Sequence, residues 1–202
     1  MKYLDLLKDF KDQELFSLGE VRSVDSHFYR ARLNEWQDKG YIKKFLKNYY
    51  FFSGTRFDER TMFRAANRIY RPSYISLQSA LSYHGLIPEK PLSVTSVSTL
   101  RTRNLETPLG RFAYRKVAEK YFSGYAVEGE GTGAFLMAKP EKALVDLFYL
   151  NRGLLDEEFI NGLRLNLKLL KKLTGLAKLA AAAEIFGNRK IVSAVRRLTD
   201  KW

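Results

Sequence analysis

Between Ser26 and Asn48 the chain gathers side chains that suit contact with a nucleic acid. On a helical wheel, His27, Arg30, Ala31 and Asn34 share one side of the segment 25–39. These are side-chain types that bond to or touch base edges in a major groove. Ser26 opens the segment, and both Asp25 and Ser26 suit a helix N-cap. Lys43, Lys44 and Lys47 follow on an aromatic-rich ribbon with Asn48 in its turn, placed as phosphate contacts. A solvated helix face beside a hairpin is the plainer alternative. The order helix, helix, turn, helix, basic ribbon favours DNA.

A second cationic set lies in "LRTRNLETPLGRFAYRK". In an extended strand, Arg111, Ala113 and Arg115 share one face and Phe112 and Tyr114 the other. With Arg101 and Arg103 they suggest a patch for RNA or an acidic partner. The outer, solvent-facing side of a half-buried strand accounts for them somewhat better.

Reaction chemistry finds little support. The chain has no cysteine, which removes disulfides, thiolate nucleophiles and cysteine-ligated metals. Its two histidines, His27 and His84, fall in different predicted domains, so no metal site is expected. "GEGTG" lacks the Gly-Lys-Ser/Thr of a phosphate loop and reads as a hairpin turn. "PEK" occurs twice, but the copy at Pro140 opens a helix and has no acidic partner for a nuclease centre. No catalytic residue and no cofactor are expected.

The elements that would position these residues follow from spacing. Leu4, Leu7 and Phe10 predict a first helix, and Ser17 with Glu20 a capping box that opens a second. The third helix, 25–39, buries a Tyr29–Leu33–Trp36 stripe and stops at Gly40, leaving Phe28 unplaced. "YIKKFLKNYYFF" predicts a two-stranded ribbon. These elements compose a winged helix-turn-helix over residues 1–56. Beyond it, "DERTMFRAANRIY" and "SYISLQSALSYHG" read as helices, and "LSVTSVST", "GRFAYRKV" and "YFSGYAV" as strands. "KPEKALVDLFYL" is a helix with Pro140 in its first turn. The tail from residue 153 is helical, with Gly187 and Asn188 separating its last two helices. Its Leu163, Leu167, Leu170 and Leu173 line one side, more suited to packing on the second domain than to lying on a membrane. The expected class is α+β: the winged domain, then a mixed α/β domain over 57–202 with a small, largely antiparallel sheet and a helical tail.

Charge sharpens the division. The formal net charge of +13 favours polyanionic partners. Residues 1–56 carry +3, residues 57–152 carry +5 and residues 153–202 carry +5. Attraction to a polyanion is thus not confined to the first domain. "MKYLDLLKDF" is too charged for a secretory signal and no segment has the apolar length of a membrane span, so a cytoplasmic protein is expected.

The chain resembles the AbiEi-type antitoxins, predicted transcriptional regulators of bacterial abortive-infection systems. The likeness runs through "LNEWQDKGYIKKFLKNYYFF", "SYISLQSALSYHGLIPE", "VTSVSTLRTRNLETPLGRFAYRKV", "MAKPEKALVDLFYL" and "FGNRKIVSAV". It implies a winged helix that binds inverted repeats in the protein's own promoter, with a homodimer on that DNA. It also implies a C-terminal domain that counteracts a cognate nucleotidyltransferase toxin, and no enzyme activity. The ribbon turn "FLKNYY" departs from the Arg and Gly that many members carry before the tyrosine. The alternative reading is an RNA- or protein-binding module whose basic C-terminal domain contacts tRNA or the toxin directly.

Overall fold

The structure, a computed structural model, describes residues 1–151 and 153–201. Helix α1 (Tyr3–Phe10) leads through the short strand β1 (Phe16–Ser17) to α2 (Leu18–Val24) and α3 (Ala31–Asp38). Strands β2 (Ile42–Leu46) and β3 (Tyr49–Phe52) follow, and the three strands form an antiparallel sheet ordered β1-β3-β2. The capping box forms as read: Ser17 Oγ accepts from the Glu20 amide at 3.2 Å, and the Glu20 carboxylate accepts from the Ser17 amide at 2.8 Å. Gly40 takes the left-handed conformation that ends α3.

Two details of the first core differ from the spacing argument. In α1 it is Leu6 and Phe10 that are buried, while Leu4 faces solvent. Helix α3 begins at Ala31, with Arg30 at its N-cap position, four to five residues later than the capping signals at Asp25 and Ser26 suggested. Residues 25–30 form the turn after α2, so the wheel does not apply to them. Tyr29 is therefore 73% exposed, and Phe28 joins Leu33 and Trp36 inside, its ring centre 5.7 Å from that of Trp36. Asp25 and Ser26 do suit an N-cap, but the turn uses that same chemistry: the Asp25 carboxylate accepts from the His27 amide at 3.1 Å.

The second part opens on α4 (Glu59–Ile69), whose Asp58 cap accepts from the Thr61 amide at 2.7 Å. Then come β4 (Ser73–Ile75), α5 (Leu77–Tyr83), β5 (Ser93–Ser98), β6 (Arg103–Thr107) and β7 (Gly110–Lys116). Strands β8 (Tyr125–Glu128) and β9 (Phe135–Ala138) form the expected hairpin around the glycine-rich turn. Helices α6 (Pro140–Leu150), α7 (Glu157–Gly162), α8 (Leu167–Glu184) and α9 (Arg189–Thr199) complete the described elements. "SYI" is thus a strand and not the start of a helix. All three residues are buried, and so short an apolar run has no periodicity to distinguish the two.

The sheet is larger and more mixed than expected. Six strands lie in the order β6-β7-β5-β4-β9-β8, with β5/β7 and β4/β9 parallel and the other three pairings antiparallel. Parallel neighbours arise from long connections, which leave no local mark in sequence. One face is covered by α4: Phe63 meets Phe135 at 5.5 Å between ring centres, and the Tyr114 hydroxyl donates to the Ala66 carbonyl at 2.8 Å. The other face carries α5 and α6, with α8 and α9 packed behind α6. Leu170, Leu179 and Ala183 of α8 enter this core; of the four leucines read as one stripe, only Leu170 is fully buried. Leu173 stays exposed, off the stripe that Leu170 and Thr174 bury, and Gly175, in an extended conformation at positive φ, kinks the helix just beyond it. Among the described residues, no helix is long and apolar enough to cross a membrane.

The two parts meet through the ribbon. Tyr50 and Phe52 face the three-helix core, whereas Phe45 and Phe51 turn to the other side and join the core of the second part. The Phe45 ring stands edge-on to Phe112 of β7 at 5.6 Å. Residue 56 is therefore a boundary in the chain but not in the packing, since Leu15, Phe45 and Phe51 all belong to the larger core.

Candidate nucleic-acid interface

The residues from Ser26 to Asn34 form one exposed surface, although not the one a continuous helix would make. Ser26, His27 and Arg30 sit in the turn and at its junction with α3, and Ala31 and Asn34 lie on the first helical turn. All five are exposed. Ser26 Oγ and His27 Nδ1 are 3.2 Å apart, so the two side chains constrain each other. Tyr29 projects beside Arg30 and is an addition to the set that the wheel had assigned to the core. Further along α3, Glu35 pairs with Lys39 at 2.7 Å and with Arg32 at 3.8 Å, which offsets its charge.

The ribbon does not project as a free wing. Pairing sets Lys43 opposite Phe51 and Lys44 opposite Tyr50, so the two lysines point to opposite faces. A register shift between Lys44 and Leu46 then bends β2 towards the turn. Asn48 adopts a left-handed conformation there, which suits its residue type. Its carbonyl accepts from the Leu18 amide at 2.9 Å, and the next residue, Tyr49, reaches the Arg68 carbonyl with its hydroxyl at 3.4 Å. Lys43, Lys44 and Lys47 are exposed, but they do not form a single row on a projecting edge.

The arginine set separates as well. Register places Glu106 opposite Arg111, Asn104 opposite Ala113 and Arg103 opposite Tyr114. Arg111 and Arg115 therefore lie on one face, where they meet Glu106 at 3.4 Å and Asn104 at 2.7 Å. Arg103 lies on the other face, over the Tyr70 ring at 5.9 Å from its centre. The Tyr70 hydroxyl also donates to the Arg101 carbonyl at 2.8 Å. Strand alternation thus prevents the four arginines from making one patch.

Between the two parts, α4 offers Arg64 and Arg68 to the first domain. Arg64 pairs with Glu14, and Arg68 with Glu20 and Gln13. Burial alone would raise the Glu20 carboxyl, but hydrogen bonds from Ser17 and the charge and donor of Arg68 outweigh it and hold the group below the usual glutamate value. A depressed carboxyl contributes stability above the unfolded-state value, and that contribution is lost as pH falls through the folded one. Acidification should therefore loosen this tie first on the Glu20 side, since arginine keeps its charge. In an NMR titration of the side-chain carboxyl, the Glu20 midpoint should lie below that of an ordinary glutamate. Arg68→Ala should move it upward; an unmoved midpoint would remove Arg68 as a cause.

No protein-family model and no curated protein matches the chain.

One constellation had not been read from sequence at all. Lys142 and Asp146, one turn apart in α6, are 3% and 0% exposed and pair with each other. Asp146 also accepts from the Tyr74 hydroxyl at 3.0 Å and from Ser76 Oγ at 2.8 Å. Burial pushes the Asp146 carboxyl up, opposed by Lys142 and the two hydroxyls. Burial likewise pushes the Lys142 ammonium down, opposed by Asp146. The ammonium also sits 4.8 Å from the Phe186 ring centre. So enclosed a pair fastens α6 to the end of β4. Its signal was present in "PEKALVDLFYL", where, beyond the first-turn Glu141, Lys142 and Asp146 stand four residues apart in an apolar helix. His84 is equally structural, with Nε2 2.8 Å from the Ala138 carbonyl. Among the described residues, no three acidic or histidine side chains gather as a metal site.

Proposed function

We propose that this protein is a DNA-binding transcriptional repressor of its own promoter and the antitoxin of an abortive-infection toxin–antitoxin system. One observation supports the DNA part above others. Ser26, His27, Arg30, Ala31 and Asn34 are all exposed on a small three-helix body whose inner side is closed by Phe28, Leu33 and Trp36. The arrangement of α1–α3 with β1–β3 is compatible with a winged helix whose third helix enters a major groove. In this reading Arg30 and Asn34 contact bases, and His27 and Ser26 contact bases or the adjoining backbone. Lys43, Lys44, Lys47 and Asn48 meet phosphate from a ribbon held against the second part. Two copies would read the two halves of an inverted repeat. The antitoxin part rests on the sequence resemblance. Opposition to a nucleotidyltransferase toxin would then belong to residues 57–202.

Binding to its own promoter should be measured by fluorescence anisotropy over a range of salt. Arg30→Ala is expected to cost about 1–3 kcal/mol and to relax sequence preference. Lys47→Ala should weaken all sequences alike and flatten the salt dependence by about one charge. Absence of any binding at low salt would defeat the reading.

A second reading is favoured by α9, whose Arg189, Lys190 and Arg196 are exposed on a helix with Ile191, Ala194, Val195 and Leu198 buried. Here the basic C-terminal region contacts RNA or the toxin. Loss of tRNA or toxin capture by the full chain on replacing those three residues with glutamate, with promoter binding retained, would favour it.

A further inference from the structure

One end of the six-stranded sheet gathers cations from three separate segments. Arg71 precedes β4, Arg101 follows β5, Arg103 opens β6 and Lys116 closes β7. Register brings these positions to one corner. Ser98 pairs with both Ser73 and Lys116, and Arg103 pairs with Tyr114. The Lys116 amide donates to Thr102 Oγ1 at 3.1 Å. Paired residues share a face, as do residues two apart in a strand. Arg103 and Lys116 therefore leave the sheet on the side of Tyr114, the side that α4 covers. Helix α4 stops at Ile69, so the corner itself lies open. All four side chains are exposed, and among the described residues none has a carboxylate partner; Arg103 rests only on the Tyr70 ring. The carboxylates nearest in β6 and β7 lie apart: Glu106 meets Arg111 on the other face, and Glu119 follows the end of β7.

The corner also adjoins the ribbon of the first domain. Phe112, on the Tyr114 face, meets Phe45 of β2, so the first domain packs on this same side of the sheet. Tyr49 reaches the carbonyl of Arg68, three residues before Arg71, and stands two residues from Lys47 in the ribbon turn. Four like charges without an acid among them repel one another, and a run of phosphates relieves that repulsion better than a single anion does. We propose that this corner takes the phosphate backbone of the duplex whose bases face Ser26–Asn34. The DNA contact then runs on from Lys47 to Arg71, Arg101, Arg103 and Lys116. The inference rests on the DNA reading of the first domain and extends it to the second part. Such contacts neutralise phosphate and carry no sequence information.

The test uses the full chain and fluorescence anisotropy, with its own promoter, an unrelated duplex and tRNA titrated over a range of salt. Arg101→Gln/Lys116→Gln should weaken both duplexes alike, by about ten-fold at moderate salt, and lower the salt slope by about two. The preference for the promoter should not change. Neither side chain is bonded within the protein, so the thermal midpoint should hold. Lys168→Gln/Lys178→Gln removes the same charge from exposed positions of α8, on the other side of the sheet, and should alter neither affinity nor slope. An unchanged slope in the first variant, an equal loss in the α8 variant, or a loss confined to tRNA would overturn the proposal. Failure of the DNA reading looks different: Arg30→Ala would leave the promoter preference intact while the corner variant still flattened the slope. Absence of binding to either duplex at low salt would defeat both.

Discussion

Asp146→Ala should lower the free energy of unfolding by about 3–5 kcal/mol in a urea titration, because it leaves a buried charge without its partner. Three groups lose their acceptor at once: the Lys142 ammonium and the Tyr74 and Ser76 hydroxyls. None of them can reach water, as Tyr74 and Ser76 are fully buried and Lys142 nearly so. The pair itself is a different quantity. Desolvating two ions offsets much of their attraction, so the double variant Lys142→Met/Asp146→Leu should recover most of the loss. That contrast separates a stranded charge from a simple packing defect, which the double replacement would not repair. A loss under about 1 kcal/mol for the single variant would mean that Lys142 releases its proton instead, in the direction in which burial already pushes it. The effect should also depend on pH with a sign opposite to that at Glu20. A carboxyl raised in the fold ionises first in the unfolded chain, so its contribution falls as pH rises between the two values.

What could be read from sequence was local. Ser17 with Glu20, Gly40, Pro140 and Asn188 each solve a problem within four residues of themselves, and each is found where its chemistry placed it. The candidate DNA residues were legible for the same reason, since exposed polar side chains beside a buried stripe leave a short-range pattern. The misreadings lie where distant segments decide. Extending the helical wheel back to residue 25 put Tyr29 inside and left Phe28 without a place, because the turn after α2 answers to Trp36 and to Asp25, not to the α3 period. Arg103 and Arg111 looked like one patch until the β6–β7 register put them on opposite faces. The alternation of "YYFF" was visible, but not that Phe51 serves a second core. The cationic corner of the large sheet has no sequence signal, as its side chains come from positions 71 to 116.

Phe45→Ala should separate the unfolding of the two parts as well as weaken the protein by about 3–5 kcal/mol. The ring is 2% exposed and touches Phe51 on its own ribbon and Phe112 on the large sheet. With Phe51 and Leu15 it is one of three fully buried apolar links from the first domain into the second core; Leu46 and Tyr49 pack on that core only partly buried, and the arginine pairs on α4 are partly exposed. Partly exposed pairs hold far less than a buried aromatic ring. Fluorescence of Trp36, in a background with Trp202 replaced by phenylalanine, reports on the first core, and far-ultraviolet circular dichroism reports on the whole chain. In the parent protein both should follow one transition. In Phe45→Ala the Trp36 signal should change at lower urea than the dichroism. Leu33→Ala provides the control, because Leu33 belongs only to the first core and its loss leaves the link intact. Coincident transitions in Phe45→Ala would place the coupling on α4 instead. Separate transitions would make the ribbon the element through which events on one part reach the other, including any event at Ser26–Asn34.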